Sequence, residues 1–224
     1  MKKVVLCLLI ILVATVTANA AVTAPATDTI TATATNWNGT LTLPQFDPDA
    51  HKATPTDTVT LNFVTLTLDS GVSGVIKFES LDSAPASVTG NLVANVTITG
   101  AGTTLATAPT ATKTETVAAY DGNTDFAGAS GRTYTDLSGS DSASTDLTTD
   151  AEKAPFIGLG TIDFAVTAVG ASNGAGPGNL MLGFNTLANA SATVTYNYTS
   201  IPVPEPMTMS LLALGGLAIV RRRK

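Results

Sequence analysis

The sequence has very few of the side chains that most enzymes use for chemistry. Among 224 residues there are one cysteine, one histidine and one tryptophan, and aromatic residues make up 5% of the chain. Cys7 lies in a leader that we expect to be removed, so the mature protein would have no thiol and no disulfide. A zinc site built from histidine and cysteine is therefore excluded by count.

Charge is also scarce, and it is unevenly distributed. Charged residues make up 12% of the chain. Between Ala21 and Val203, five basic residues stand against sixteen acidic ones, so this region carries a net charge of −11, compared with −6 for the whole chain. A surface this acidic repels nucleic acid and anionic lipid. We therefore expect no nucleic-acid partner, and a protein suited to the cell surface or to divalent cations.

The first twenty residues have the parts of a secretory signal peptide. MKKVVLCLLIILVATVTANA begins with two lysines, continues with an apolar run over residues 4–13, and ends with Ala18 and Ala20 at the small-residue positions of an A-x-A cleavage site. We predict a signal helix within residues 1–20 and a mature chain that begins at Ala21. The alternative is a permanent N-terminal anchor, which the shortness of the apolar run disfavours.

The C-terminus carries a second apolar run, Met207 to Val220, followed by a basic cluster. As a short hydrophobic helix, its fourteen residues would span about 21 Å, less than the ~30 Å hydrocarbon core. Gly215 and Gly216 weaken that helix further. The basic cluster should stay in the cytoplasm, since cytoplasmic flanks favour positive charge, while export places the body outside. The residues that set this topology are Arg221, Arg222, Arg223 and Lys224.

A proline-bracketed peptide stands directly before the apolar run. Its residues are Val203, Pro204, Glu205 and Pro206. The order of Pro-Glu-Pro, apolar run and terminal arginine cluster over residues 203–224 resembles the PEP-CTERM sorting signal of Gram-negative bacteria that make exopolysaccharide. The resemblance implies processing near the Pro-Glu-Pro by an exosortase, a membrane-embedded cysteine transpeptidase. The two prolines favour an extended, unpaired peptide, which suits a protease-like cleft. The alternative is an ordinary C-terminal anchor behind a proline-rich hinge.

The body, residues 21–202, has the period-two pattern of half-buried strands. We predict an all-β fold, an antiparallel sandwich of eight to ten strands, because the pattern recurs between Gly, Asn, Asp and Pro breaks. The phase flips at Phe63 and Val64, as a β-bulge would cause. We expect a long polar loop with one helical turn over residues 138–155. The apolar positions predicted to face the core include Ile30, Ala32, Ala34, Leu92, Ala94, Val96, Ile98, Ile162, Phe164, Val166, Ala168, Ala192, Val194, Tyr196 and Tyr198.

Several segments of the body resemble a known family. They include LTLPQFDP at 41–48, VTLTLDSGVSGVIKFESL at 64–81, YDGNTDFAGASG at 120–131, PFIGLGTIDFAVTAVG at 155–170 and ATVTYNYT at 192–199. Their order resembles the choice-of-anchor E domain over residues 29–199. That family is defined by an extracellular β domain joined to alternative sorting tails. The resemblance therefore implies location and architecture, and no reaction.

Candidate sites for catalysis are weak. The single mature histidine, His51, lies in a Pro- and Asp-rich stretch without a nearby G-x-S-x-G, so we interpret it as a solvated loop residue. Two carboxylate pairs, Asp47 with Asp49 and Asp121 with Asp125, could in principle flank a glycosidic bond, but loop spacing does not show that they face each other. We predict that the protein is not an enzyme.

A calcium site is the sharper candidate. Asp121, Asn123 and Asp125 alternate like the first ligands of a calcium loop. The pattern then departs from an EF-hand, since Phe126 stands where Gly is needed and Arg132 where Glu is needed. Asp-Gly followed by Asn is also typical of an ordinary turn, which we favour. No cofactor is expected, and calcium stays open.

Two functions remain in view. The first is an exported, non-enzymatic protein of the cell surface or extracellular matrix. Its partners would be the secretion machinery, an exosortase, transiently the inner membrane, and as an open possibility exopolysaccharide. The second is a secreted binding module for carbohydrate, with or without calcium. A binding module should show a pocket around Trp37 or around residues 121–125.

Overall fold

The computed structural model describes residues 17–203. The predicted signal helix and the predicted short hydrophobic helix at 207–220 lie outside these residues. Strands dominate the described part, which contains eleven of them, compared with the eight to ten that the sequence predicted. They form two antiparallel sheets of five and six strands, which confirms the predicted all-β sandwich.

The first sheet is built on two very long strands. Its members are β1 (Asn19–Val22), β2 (Ala26–Ala34), β4 (Thr58–Ser80), β8 (Gly131–Leu147) and β11 (Leu180–Ile201). β11 pairs with β4 along almost its whole length, and β8 continues the sheet beyond β4. The other edge of β11 is shared, because β1 covers its C-terminal part and β2 its middle.

The second sheet is centred on β5 (Ala86–Gly100). Its other members are β3 (Trp37–Pro44), β6 (Thr103–Thr107), β7 (Thr110–Val117), β9 (Thr161–Gly170) and β10 (Asn173–Ala175). β5 pairs with β6 and β7 on one edge and with β9 and β10 on the other, and β3 pairs with β9. One helical turn, α1 (Asp150–Lys153), and two short 3-10 turns, Asp49–His51 and Ala154–Phe156, complete the structure.

The core lies between the inner faces of the two sheets. Strict alternation places every second residue there, since successive side chains of a strand point to opposite faces. The predicted inward residues of β5 and β9 are all buried: Leu92, Ala94, Val96, Ile98, Ile162, Phe164, Val166 and Ala168. Ala192, Val194 and Tyr196 of β11 are buried as well, and Tyr198 is half-buried. The period-two prediction is confirmed for these strands.

The predicted bulge in β4 is also present. Phe63 pairs with Asn197 while Leu61 pairs with Tyr198, so β4 has one extra residue, Asn62, at this point. Leu61 and Val64 are both buried, which is possible only because the extra residue shifts the alternation by one position. The phase flip in the sequence therefore identified a real irregularity.

Two expectations about the body are wrong. Ala32 and Ala34 are exposed, because β2 is an edge strand and only its first half, with Ile30, packs against the core. Residues 138–147 form strand rather than loop, as part of β8. That segment is polar on both faces, but it lies at a sheet edge, where Asp146 and Ser144 bond the side chains of Thr65 and Thr67 on β4. The predicted helical turn is present as α1.

Candidate functional site

Both ends of the described chain lie at one end of the sandwich. Asn19, at the start of β1, pairs with Ser200 near the end of β11, and β11 ends at Ile201. Two loops cap the same end, one after β3 that contains Phe46 and one before β9 that contains Ile157. The aromatic ring of Phe46 lies 5.4 Å from that of Tyr198, and the backbone of Phe46 forms an isolated β-bridge with Ile157. We call this the exit end. The segment that would carry the signal peptide and the segment that carries the C-terminal tail therefore leave the body side by side.

The last described residue, Val203, is held by a loop of the body. The Thr56 hydroxyl donates a 3.2 Å hydrogen bond to the Val203 carbonyl oxygen. The neighbouring Asp57 is 4% exposed, and its carboxylate accepts hydrogen bonds from the backbone N–H groups of Ala53 and Thr54, both at 3.0 Å. We call Thr56 and Asp57 the exit clamp. They fix the point at which the tail leaves the sandwich.

The electrostatics of the clamp follow from these bonds. The Thr54 hydroxyl donates to the Asp57 carboxylate at 2.5 Å and is the largest cause of a pKa below the ordinary value for this group. Backbone N–H groups of Thr54 and Ala53 lower the pKa further, and the Val203 backbone adds to the effect. Hydrogen bonds to the charged form favour it, so Asp57 is ionised at neutral pH.

An aromatic cluster supports the exit end. His51 stacks on Phe46 at 4.9 Å between ring centroids and lies 4.6 Å from the ring of Tyr198. Tyr196 lies beneath, and its hydroxyl donates to the Pro44 carbonyl at 2.6 Å, which links the two sheets. Burial raises the pKa of Tyr196, so it stays protonated. His51 is thus a half-buried packing residue, and our interpretation of a solvated loop histidine is wrong.

A shallow groove of about 320 Å³ lies beside the cluster. Its walls come from the start of β4 and from the turn after α1, and they include Val59, Leu61, Ile157 and Lys153. The Lys153 ammonium donates to the carbonyl oxygens of Leu61 and Asn62, so its charge is already engaged. Neither Trp37 nor residues 121–125 line this groove, so it is not the pocket that the binding-module hypothesis predicted.

The opposite end of the sandwich contains a buried carboxylate. Glu79 is 0% exposed, and its two carboxylate oxygens accept a 2.8 Å hydrogen bond from the Phe126 N–H and a 2.5 Å bond from the Ser130 hydroxyl. Both donors belong to the loop between β7 and β8. Glu79 therefore ties that loop to the end of β4, which is a structural role.

The calcium candidates lie on this same loop. Asp121 accepts 3.0 Å hydrogen bonds from the N–H groups of Asn123 and Ala129, and these two bonds are the main causes of its lowered pKa. Asp125 accepts one from the Ala127 N–H at 2.9 Å. A carboxylate bonded to the N–H two residues on is typical of an Asx-turn. Within residues 17–203, no three acidic, histidine or cysteine side chains converge as a metal site requires.

The remaining predicted site residues fall at or beyond the edges of the described part. Ala18 precedes β1 and Ala20 lies within it, opposite Thr199. Of the sorting peptide, Val203 is described and is 43% exposed. Pro204, Glu205, Pro206 and the basic cluster lie outside the described residues. None of the helices between residues 17 and 203 is long and apolar enough to cross a membrane.

Sequence reasoning missed the residues that hold these loops. Asp57 follows Thr54-Pro55-Thr56, and such a Pro- and Thr-containing stretch predicts a turn in which Asp bonds nearby backbone. That signal predicts the turn but not the hydrogen bond from Thr56 to Val203, two residues that are 147 positions apart. For Glu79 the sequence signal of a structural role was weaker, since it is only an acidic residue that follows the apolar Phe78 within a predicted strand.

Comparison with known families decides the nature of the tail. A family model described as the PEP-CTERM protein-sorting motif matches residues 202–224. The chain carries a PEP-CTERM sorting signal. This signal indicates a secreted protein that is processed by an exosortase, with membrane-associated sorting followed by a surface or extracellular location. The match begins at residue 202, so it gives no support to the resemblance of residues 29–199 to the choice-of-anchor E domain.

Other comparisons add nothing about the body. No curated protein matches the chain. Solved structures of infectious bursal disease virus are similar over 82% of this chain, at 15% identity for a T13 particle and 14% for T=1 particles, each with a TM-score of 0.17. The chain spans 41% of the length of each of those viral chains. TM-scores this low carry no argument about fold or function.

Proposed function

We propose that the protein is an exported, non-enzymatic component of the cell surface or extracellular matrix of a Gram-negative bacterium. The observation that carries the proposal is the sorting signal at residues 202–224. On this proposal the inner membrane and an exosortase are transient partners, and exopolysaccharide is the surrounding material. The body, which would be a choice-of-anchor E type domain, is the part that reaches the surface.

Two features of the body support a structural rather than catalytic role. His51, the one histidine, is packed between Phe46 and Tyr198 instead of lying beside a nucleophile. The buried carboxylate of Glu79 is occupied by two donors from a neighbouring loop. Both groups thus contribute to holding loops at the ends of the sandwich.

The sorting step would act just beyond the exit clamp. Val203, the last described residue, is held by Thr56, and Pro204 to Pro206 follow it in the sequence. The basic cluster fixes orientation, because moving four cations across the hydrocarbon core would cost about 2.5–3.5 kcal/mol each on insertion scales. An enzyme in the membrane would therefore meet the Pro-Glu-Pro at the outer surface.

The experiment is a C-terminal peptide map of surface-released protein from a host that contains the sorting enzyme. We expect the released form to lack residues beyond about Pro206. The variant Glu205→Ala, or neutralisation of Arg221 to Lys224, should leave an unprocessed form in the inner membrane. Glu115→Ala, the same exchange in the body, is the matched control and should be processed normally. A released protein that still contains the peptide around Leu211 to Val220 would instead show a plain anchor.

A further inference from the structure

The exit end exposes an unusual share of apolar side chains. Eight large apolar residues are exposed in the described part of the chain, and four of them lie at this end. Leu159 is the most exposed, at 87%. It lies in a capping loop that is held by two backbone hydrogen bonds. The Gly158 N–H donates to the Phe46 carbonyl oxygen, and the Gln45 N–H donates to the Gly160 carbonyl oxygen. The other three are Ile157, Ile201 and Val203.

Local charge at the exit end is paired in part, since two lysines form ion pairs there while Asp47 and Asp57 have no lysine or arginine partner within the described residues. Lys52 contacts Asp49 at 2.6 Å, and Lys153 contacts Asp150 at 3.1 Å. The strong negative charge of the body is therefore partly offset at this end, which lowers the repulsion from a lipid surface. An apolar patch beside these ion pairs suits the headgroup boundary of a bilayer without net charge.

The length of the connection then limits how far this end can be from a membrane. The exit clamp fixes Val203, and the apolar run begins only four residues later, at Met207. Even fully extended, four residues span at most about 14 Å. If the run enters the bilayer, Val203 must lie within that distance of its surface, on the exit end of the body.

We propose that the exit end rests on the lipid bilayer before the tail is processed, with Leu159 and Ile157 in contact with the interface. The proposal rests on the proposed function, since it requires the tail to enter the membrane. β4 has 23 residues, about 75 Å of strand, so the loop around Asn123 at the opposite end points away from the membrane. The contact ends when processing separates the body from the tail.

The test uses the exported chain with its tail intact, reconstituted in phosphatidylcholine vesicles that contain nitroxide-labelled lipid. Without Cys7 the chain has no cysteine, so one introduced thiol can carry a single fluorophore. Three variants are compared: Leu159→Cys at the exit end, Asn123→Cys at the opposite end, and Ala213→Cys in the tail. We expect lipid to quench the labels at 213 and 159 several-fold more than the label at 123.

The possible outcomes distinguish a failure of the membrane contact from a failure of the proposed function. Quenching at 213 without quenching at 159 would overturn the membrane contact and leave the sorting function intact. A lack of quenching at both positions would contradict membrane entry of the tail, and both proposals would fail. If the label at 159 is buried only when the vesicles contain the sorting enzyme, the partner of this surface is that enzyme and not lipid. Circular dichroism of all three variants confirms that each is folded.

Discussion

The Thr56 hydroxyl lies 3.2 Å from the carbonyl oxygen of Val203, the residue before the first proline of the sorting signal. This bond joins a loop near the start of the chain to the point where the tail leaves the body. A processing enzyme binds its substrate through backbone groups of an extended peptide. The hydrogen bond from Thr56 therefore competes with any enzyme cleft that must bind the backbone of Val203.

Loss of the Thr56 hydroxyl should loosen the tail exit. The change Thr56→Val removes the hydrogen bond to Val203, worth about 0.5–1.5 kcal/mol, and also the 3.1 Å contact with the Thr54 hydroxyl, with little change in side-chain volume. We expect faster proteolytic cleavage between Ile201 and Met207, measured by limited proteolysis with mass spectrometry, with only a small decrease in the global unfolding midpoint. The matched control Thr40→Val alters an exposed residue of β3. Equal cleavage rates in both variants would show that the bond does not restrain the tail.

Acid should open the exit clamp. The pKa of Asp57 is lower in the folded protein than its ordinary value, so ionised Asp57 stabilises the fold at a pH above its unfolded pKa of ~3.9. That contribution is lost as the pH falls through the lower, folded value. We expect hydrogen exchange at the Val203 amide, corrected for its intrinsic pH dependence, to increase below about pH 4.

Substitution at Asp57 provides the control for that pH effect. Asp57→Asn should remove the acid-dependent step at Val203. Asp121→Asn removes another carboxyl with a lowered pKa, but at the opposite end of the sandwich, and should leave the step in place. A step that persists in Asp57→Asn would assign the acid sensitivity to another group.

The buried carboxylate of Glu79 should matter more to stability than a surface one. Glu79→Ala leaves the Phe126 N–H and the Ser130 hydroxyl without their acceptor, which should cost about 1–3 kcal/mol for each buried group left unsatisfied. The control Glu115→Ala breaks a partly exposed 2.9 Å ion pair with Arg132, worth about 0–1 kcal/mol. Urea unfolding compares them, and similar midpoints would argue against a structural role for Glu79.

Calcium should change the stability of the body little. The oxygens of Asp121 already accept two backbone hydrogen bonds, which is the arrangement of a turn. A true site would add about 2.7 kcal/mol at a calcium concentration 100 times its dissociation constant. We therefore expect the melting temperature to stay constant when calcium is added. A rise of several degrees that Asp121→Ala abolishes would establish the site.

The sequence by itself determined the features that depend on neighbouring residues. Period-two alternation identified β5, β9 and the end of β11, because a side chain's face in a strand follows from its position in the chain. The phase flip beside Asn62 identified the bulge for the same reason. The sorting signal is also a local pattern, so residues 203–224 could be interpreted without a structure.

Only the tertiary structure decided what depends on which strands pair. Residues 138–147 read as loop because a polar edge strand lacks an apolar face, and its pairing with β4 makes it a strand. His51 and Tyr198, Glu79 and Ser130, and Thr56 and Val203 meet across 51 to 147 positions. Such contacts arise from the long-range pairing of β4 with β11 and β8 and from the loops this pairing brings together. No local pattern encodes that pairing, because its energy comes from burial shared between distant segments.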